Sequence, residues 1–137
     1  MKVDIGMQKL FQMIFLLMVS TSAMAEWTAL TVSQSGDTYY GDLTHKRKVG
    51  KFIRMWTLVD TKTPQVESGG LTYNSAKTFD EYDCLGERRR LLAFSMFSEN
   101  MGKGNVVSSS QESDAWKYIA PESIDEVLFK FACQSKK

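Results

Sequence analysis

The densest chemistry in the sequence lies between residues 80 and 90. Asp80, Glu81 and Asp83 precede Cys84, and Arg88, Arg89 and Arg90 follow across Leu85-Gly86-Glu87. Two carboxylates at this spacing could serve as a glycosidase pair, and a carboxylate cluster could hold Ca²⁺. A thiol among acids and arginines is also a candidate reactive centre. A plainer reading competes with these. If Leu85-Gly86-Glu87 is a turn, the acids and arginines stand on adjacent antiparallel strands, where opposite charges pair. We favour this salt-linked hairpin. Period-two alternation then puts Asp80, Tyr82 and Cys84 on one face and Phe79, Glu81 and Asp83 on the other.

The other chemistry-bearing residues are sparse. His45 is the only histidine, set in a basic stretch with Lys46, Arg47, Lys48 and Lys51. No G-x-S-x-G nucleophile turn accompanies it. Lysines are common on strand edges, where they resist unwanted pairing, and that is the first reading of the stretch. The functional reading makes His45, Lys46, Arg47, Lys48 and Lys51 a contact for an anion or partner: acidic polysaccharide, phosphate head groups or an acidic protein surface. Gly102-Lys103-Gly104 resembles a phosphate cradle only in isolation. Such a cradle opens a helix, and Val106-Val107 reads as a strand, so the glycines mark a hairpin turn. One histidine and two cysteines without C-x-x-C spacing leave no zinc site of the usual types. No catalytic residue, metal or cofactor is expected, and the chain does not read as an enzyme.

These residues need a sheet to position them. Trp27–Val32 and Thr38–Tyr40 flank the turn cluster Ser33–Asp37 and read as a hairpin. Lys51–Asp60 is the strongest strand, with Phe52, Trp56 and Leu58 on one face and Ile53, Met55 and Val59 on the other. Both faces are apolar, as in a central strand covered on both sides. Asp60–Gly70 reads as a loop, broken by Pro64 and Gly69-Gly70, and Leu71–Tyr73 as a short strand or loop return. Thr78–Cys84 and Arg88–Ser98 are the hairpin strands. Trp116–Ala120 is extended ahead of Pro121. Ser123 and Glu126 form a capping box, followed by a short helix burying Ile124, Val127, Leu128, Phe131 and Ala132. The fold class is α+β: a single antiparallel sheet of about six strands with a short C-terminal helix packed on one face.

Residues 1–25 read as a cleaved secretory signal peptide. Lys2 and Lys9 precede the apolar run Leu10–Val19, and Ala23-Met24-Ala25 fits the cleavage pattern. The run is too short to span a bilayer, so no transmembrane anchor is expected after cleavage. Residues 26–137 are then a single domain. The 17 Lys+Arg and 16 Asp+Glu nearly cancel, which excludes charge-driven binding to nucleic acid by the chain as a whole. Two cysteines in an exported domain allow one intramolecular bond, Cys84 to Cys133. It would tie the middle of the domain to its last helix.

The ordered landmarks resemble one family. They are Trp27, Tyr39-Tyr40, Met55-Trp56-Thr57-Leu58, Ser75-x-Lys77, Asp83-Cys84, Met101-Gly102-x-Gly104, Trp116-x-x-Ile119-x-Pro121-x-Ser123 and Cys133. Together they resemble the surface-adhesin protein E-like family of Gram-negative bacteria. The resemblance implies a small antiparallel sheet with a packed C-terminal helix, a bonded cysteine pair and an exported, non-enzymatic protein. It also implies binding to host matrix or serum proteins by a form held in the outer membrane by a lipid. This chain departs there, because no cysteine follows the apolar run to carry a lipid. Two roles are expected: a binding or adhesion module for matrix proteins or other envelope partners, or a soluble periplasmic protein acting as a homodimer. The homodimer follows from a sheet apolar on both faces with one helix to cover it.

Overall fold

The computed structural model describes Gly6 and residues 26–135. The expected signal peptide, residues 1–25, lies outside the described residues apart from Gly6. The elements in chain order are β1 (Thr28–Val32), β2 (Thr38–Gly41), β3 (Arg47–Val49), β4 (Phe52–Val66), β5 (Thr72–Asp83), β6 (Arg88–Phe97), β7 (Val106–Ser110), β8 (Lys117–Tyr118) and α1 (Ile124–Cys133). A 3-10 turn, Asn100–Gly102, joins β6 to β7.

The strands form one antiparallel sheet in the order β1-β2-β4-β5-β6-β7. The sheet has eight strands rather than about six. The additional ones arise because the outer edges of β4 and β6 are each shared. β2 pairs with β4 from Thr57 to Asp60 and β3 pairs with it from Phe52 to Arg54. Likewise β7 takes Phe94–Phe97 of β6, and β8 takes Arg88 and Arg89.

The central hairpin is longer than the sequence suggests. Asp60–Gly70 is not a loop: β4 continues to Val66 and β5 starts at Thr72. Pro64 is tolerated because it falls in the register break between Asp60 and Gln65, where no ladder bond is asked of it. The turn closes with the Glu67 amide donating to Leu71 O at 2.8 Å and the Gly70 amide donating to Glu67 O at 3.0 Å. Gly69 and Gly70 both take positive φ here, which glycine adopts without a Cβ clash.

Helix α1 packs on one face of the sheet. Met55, Tyr82, Leu128 and Ala132 form the buried core, with Leu30, Tyr39, Leu43, Ile53, Ile124 and Phe129 around it. Phe129 joins this face and meets the Tyr82 ring at 6.3 Å between centroids, while Val127 and Phe131 are half-buried. The cap differs in one bond from the expected box. Ser123 Oγ accepts from the Glu126 amide at 3.1 Å, but Glu126 Oε2 accepts from the amide of Glu122 rather than of Ser123, at 2.8 Å. Cys84 and Cys133 are bonded, as expected, across a sequence separation of 49.

Candidate functional site

The face of the sheet opposite α1 carries the most unusual chemistry of the described residues. Alternation along β4 and β5 sends Arg54, Trp56, Lys77, Phe79, Glu81 and Asp83 to this side. The Trp56 and Phe79 rings stack at 4.7 Å, and Trp56 remains 38% exposed in the middle of the sheet. The Arg47 guanidinium lies 5.8 Å from the Phe79 centroid.

One end of this face is an arginine and carboxylate lattice. Glu81 is buried and accepts from Arg54 Nε at 2.7 Å and from Arg90 Nη2 at 2.8 Å. Asp83 accepts from Arg88 Nε at 2.9 Å and from the Gly86 amide at 3.0 Å. Burial opposes the Glu81 charge, but its hydrogen bonds from Arg54 and Arg90 prevail and hold the carboxyl below its usual range. The Arg88 hydrogen bond and the Gly86 amide likewise hold Asp83 low. Trp116 then lies over Arg88 and Arg90, at 4.8 and 4.6 Å from their guanidinium carbons, and against Phe52 at 4.9 Å. The 3-10 turn covers the other end. Ser75 Oγ donates to Glu99 O at 2.6 Å and accepts from the Gly102 amide at 2.8 Å, and Asp60 Oδ1 accepts from the Met101 amide at 2.7 Å.

The third acid of the cluster faces the helix instead. Asp80 is fully buried and accepts from Arg89 Nη1 and Thr78 Oγ1, each at 2.6 Å. Arg89 Nε lies 3.2 Å from Asp125 on α1. Burial pushes the Asp80 carboxyl up against the pull of Arg89. Each acid of the cluster is thus tied to one of the three hairpin arginines, which is the structural reading of the cluster. Among the described residues, no group of three or more His, Cys, Asp or Glu is placed to hold a metal ion.

The model of the family described as surface-adhesin protein E matches residues 27–134. The chain belongs to the surface-adhesin protein E family. Solved structures of Haemophilus influenzae protein E share its fold. Haemophilus influenzae protein E superposes with a TM-score of 0.60 at 13% identity, covering 82% of this chain and 87% of that one. Its crystal form II gives 0.62 at 12% identity, covering 82% and 91%. No curated protein sequence matches the chain. Among the described residues, no helix is long and apolar enough to cross a membrane.

Four residues of the basic stretch, Lys46, Arg47, Lys48 and Lys51, line one groove, and His45 lines a separate cleft. His45 Nδ1 donates to the buried carboxylate of Asp42 at 2.8 Å, and its amide donates to the same group at 3.1 Å. Lys46 Nζ donates to Phe131 O at 2.9 Å, Ala132 O at 3.3 Å and Gln134 O at 2.8 Å, so it caps the C-terminal end of α1. Arg47 reaches the open face. With Lys46, Arg47, Lys48 and Lys51 along its border, the groove has a volume of about 440 Å³ and runs over Cys84 and Cys133. The open face itself was not legible from local sequence, because its members come from separate strands. The one available signal was the aromatic pair Trp56 and Phe79 on neighbouring strands, the first of which also carries Arg54.

Proposed function

We propose that the chain is an exported, non-enzymatic binding module, processed after Ala25, that meets a macromolecular partner through the open face of its sheet. The observation that carries this reading is the exposed Trp56 stacked on Phe79 with Arg47 alongside. A partly exposed tryptophan stacked on a second ring with an arginine alongside is the residue combination enriched at the energetic centres of protein interfaces. Membership of an adhesin family supports a partner on the cell surface or in the surrounding matrix. Of the basic residues, Arg47, Lys48 and Lys51 are the contact candidates, since the Asp42 carboxylate and the helix carbonyls engage His45 and Lys46.

Immobilised matrix proteins and heparin test this reading. The double variant Arg47→Ala, Lys51→Ala should lose at least fivefold in affinity for the partner that wild type binds. Equal binding by the variant removes this surface from consideration. A second copy of the chain is the other occupant that the bare Trp56 favours. Sedimentation of the same samples decides it: a dimer that Trp56→Ala dissociates supports self-association, and a monomer at tens of micromolar opposes it.

A further inference from the structure

Beside Trp56 the open face deepens into a cleft of about 400 Å³ lined by Trp27, Asp42, His45, Trp56 and Lys77. That volume lies within the range of small-molecule sites. The composition of its walls is specific. Two indoles offer flat apolar surfaces, suited to the C–H faces of a ring rather than to an extended peptide.

The polar groups are held in place. The Lys77 ammonium lies 5.9 Å from the Trp27 ring centroid and 5.2 Å from that of Phe97, and no ion pair engages it among the described residues. Its stem runs against Gly102, where an added Cβ would lie 2.5 Å from Lys77 Cε. Gly102 also takes φ +69, so glycine both permits the turn and leaves room for the lysine. On the other side, the Asp42 carboxylate can only accept, so the 2.8 Å contact fixes the proton of His45 on Nδ1. In the neutral ring, Nε2 is then left as an acceptor for a hydroxyl. The side chain of His45 is 56% exposed while that of Asp42 is 5% exposed, so the buried acid orients the ring and the ring meets the solvent.

We propose that this cleft binds a sugar unit carrying a carboxylate: the ring between Trp27 and Trp56, the carboxylate on Lys77, and a hydroxyl on His45 Nε2. The site extends the binding role of the open face to a small acidic saccharide. It rests on that face being open, but it uses residues other than Arg47 and Lys51. An ammonium held over aromatic rings without a carboxylate partner favours an anionic sugar over a neutral one, because the charge-assisted bond is the stronger contact. A phosphate or sulfate ester alone would leave the two indoles without a ring to cover.

The test uses a galacturonic acid trisaccharide and its carboxyl-reduced counterpart, titrated into the exported chain and followed by tryptophan fluorescence and calorimetry. Wild type should bind the acidic trisaccharide at least tenfold more tightly than the reduced one. Lys77→Met should abolish that preference, and Lys77→Arg should retain it. Binding of neither sugar, equal binding of both by wild type, or a preference that survives Lys77→Met overturns the proposal. Wild-type discrimination is read without any substitution, so a poorly folded variant does not blunt the test. Loss of macromolecular binding in the Arg47 and Lys51 variant, with sugar binding intact, separates the two sites.

Discussion

Glu81 is the most heavily engaged acid on the open face, buried and shared by Arg54 and Arg90. Its carboxyl is held low, so the ionised form is favoured more in the folded chain than in the unfolded one. The stability this adds is complete above the ordinary glutamate range, near pH 4.3, and is lost as pH falls through the lower folded value. Glu81→Gln should therefore cost roughly 2 kcal/mol at neutral pH, by leaving two arginines without their counter-charge. The cost should shrink on acidification below the ordinary glutamate range, as the wild-type carboxyl takes up its proton too. Urea denaturation across that range checks it, and a difference that does not change with pH contradicts the assignment. Asp80 acts with the opposite sign. Burial raises it, so its ionisation is disfavoured by folding and it adds nothing to the acid-side loss.

At the scale of elements, α1 depends on what holds its two ends. It has only ten residues, too few to persist alone. Its N-terminal end has Ser123, and Asp125 and Glu126 in the first turn, while its C-terminal end has the Lys46 ammonium on three carbonyls. Lys46→Met keeps the stem and removes the charge. It should lower stability by about 1–2 kcal/mol, from lost hydrogen bonds and a lost cation at the negative end of the helix dipole. Thermal unfolding of the variant measures this, and an unchanged midpoint would return Lys46 to the solvated edge. Nothing in the stretch around Lys46 pointed to this role, since its partners lie more than eighty residues away. The salt-linked hairpin was legible because its acids and arginines are close in sequence and in register. The far half of the β4–β5 hairpin was not. Thr61, Lys62 and Thr63 carry no alternating apolar signal, and Pro64 and two glycines read as breakers although a register break accommodates the proline.

For the whole molecule, two covalent and ionic ties join sheet to helix at opposite ends of α1. The Cys84–Cys133 bond closes a long loop, and Arg89 links Asp80 on β5 to Asp125 on α1. Cys84→Ser should cost about 4 kcal/mol by the loop-entropy relation and leave Cys133 reactive to thiol reagents. Reaction of both cysteines in the unreduced wild type would show the bond to be absent in solution. The class of the fold and the cysteine pairing were readable from the chain, because one pairing was possible and the strand and cap signals were strong. The open face was not, since it assembles Trp27, Arg47, Trp56, Phe79 and Trp116 from segments that only the sheet register brings together.

The length of the β4–β5 hairpin also decides how the molecule comes apart. Past Asp60 and Ser75 neither strand has an outer neighbour. The last supports are Lys62, whose amide donates to Asp37 Oδ1, and Asn74, which bonds to Ser98 O and accepts from Thr61. Beyond them the chain is a two-stranded arm with Val66 and Leu71 bare near its tip. Two strands alone are marginal in water. Hydrogen exchange should therefore find the arm's amides opening independently of the disulfide-tied body, and equal protection of both would contradict this. The same two strands thus carry one end supported by neighbours and one end that holds by its own pairing alone.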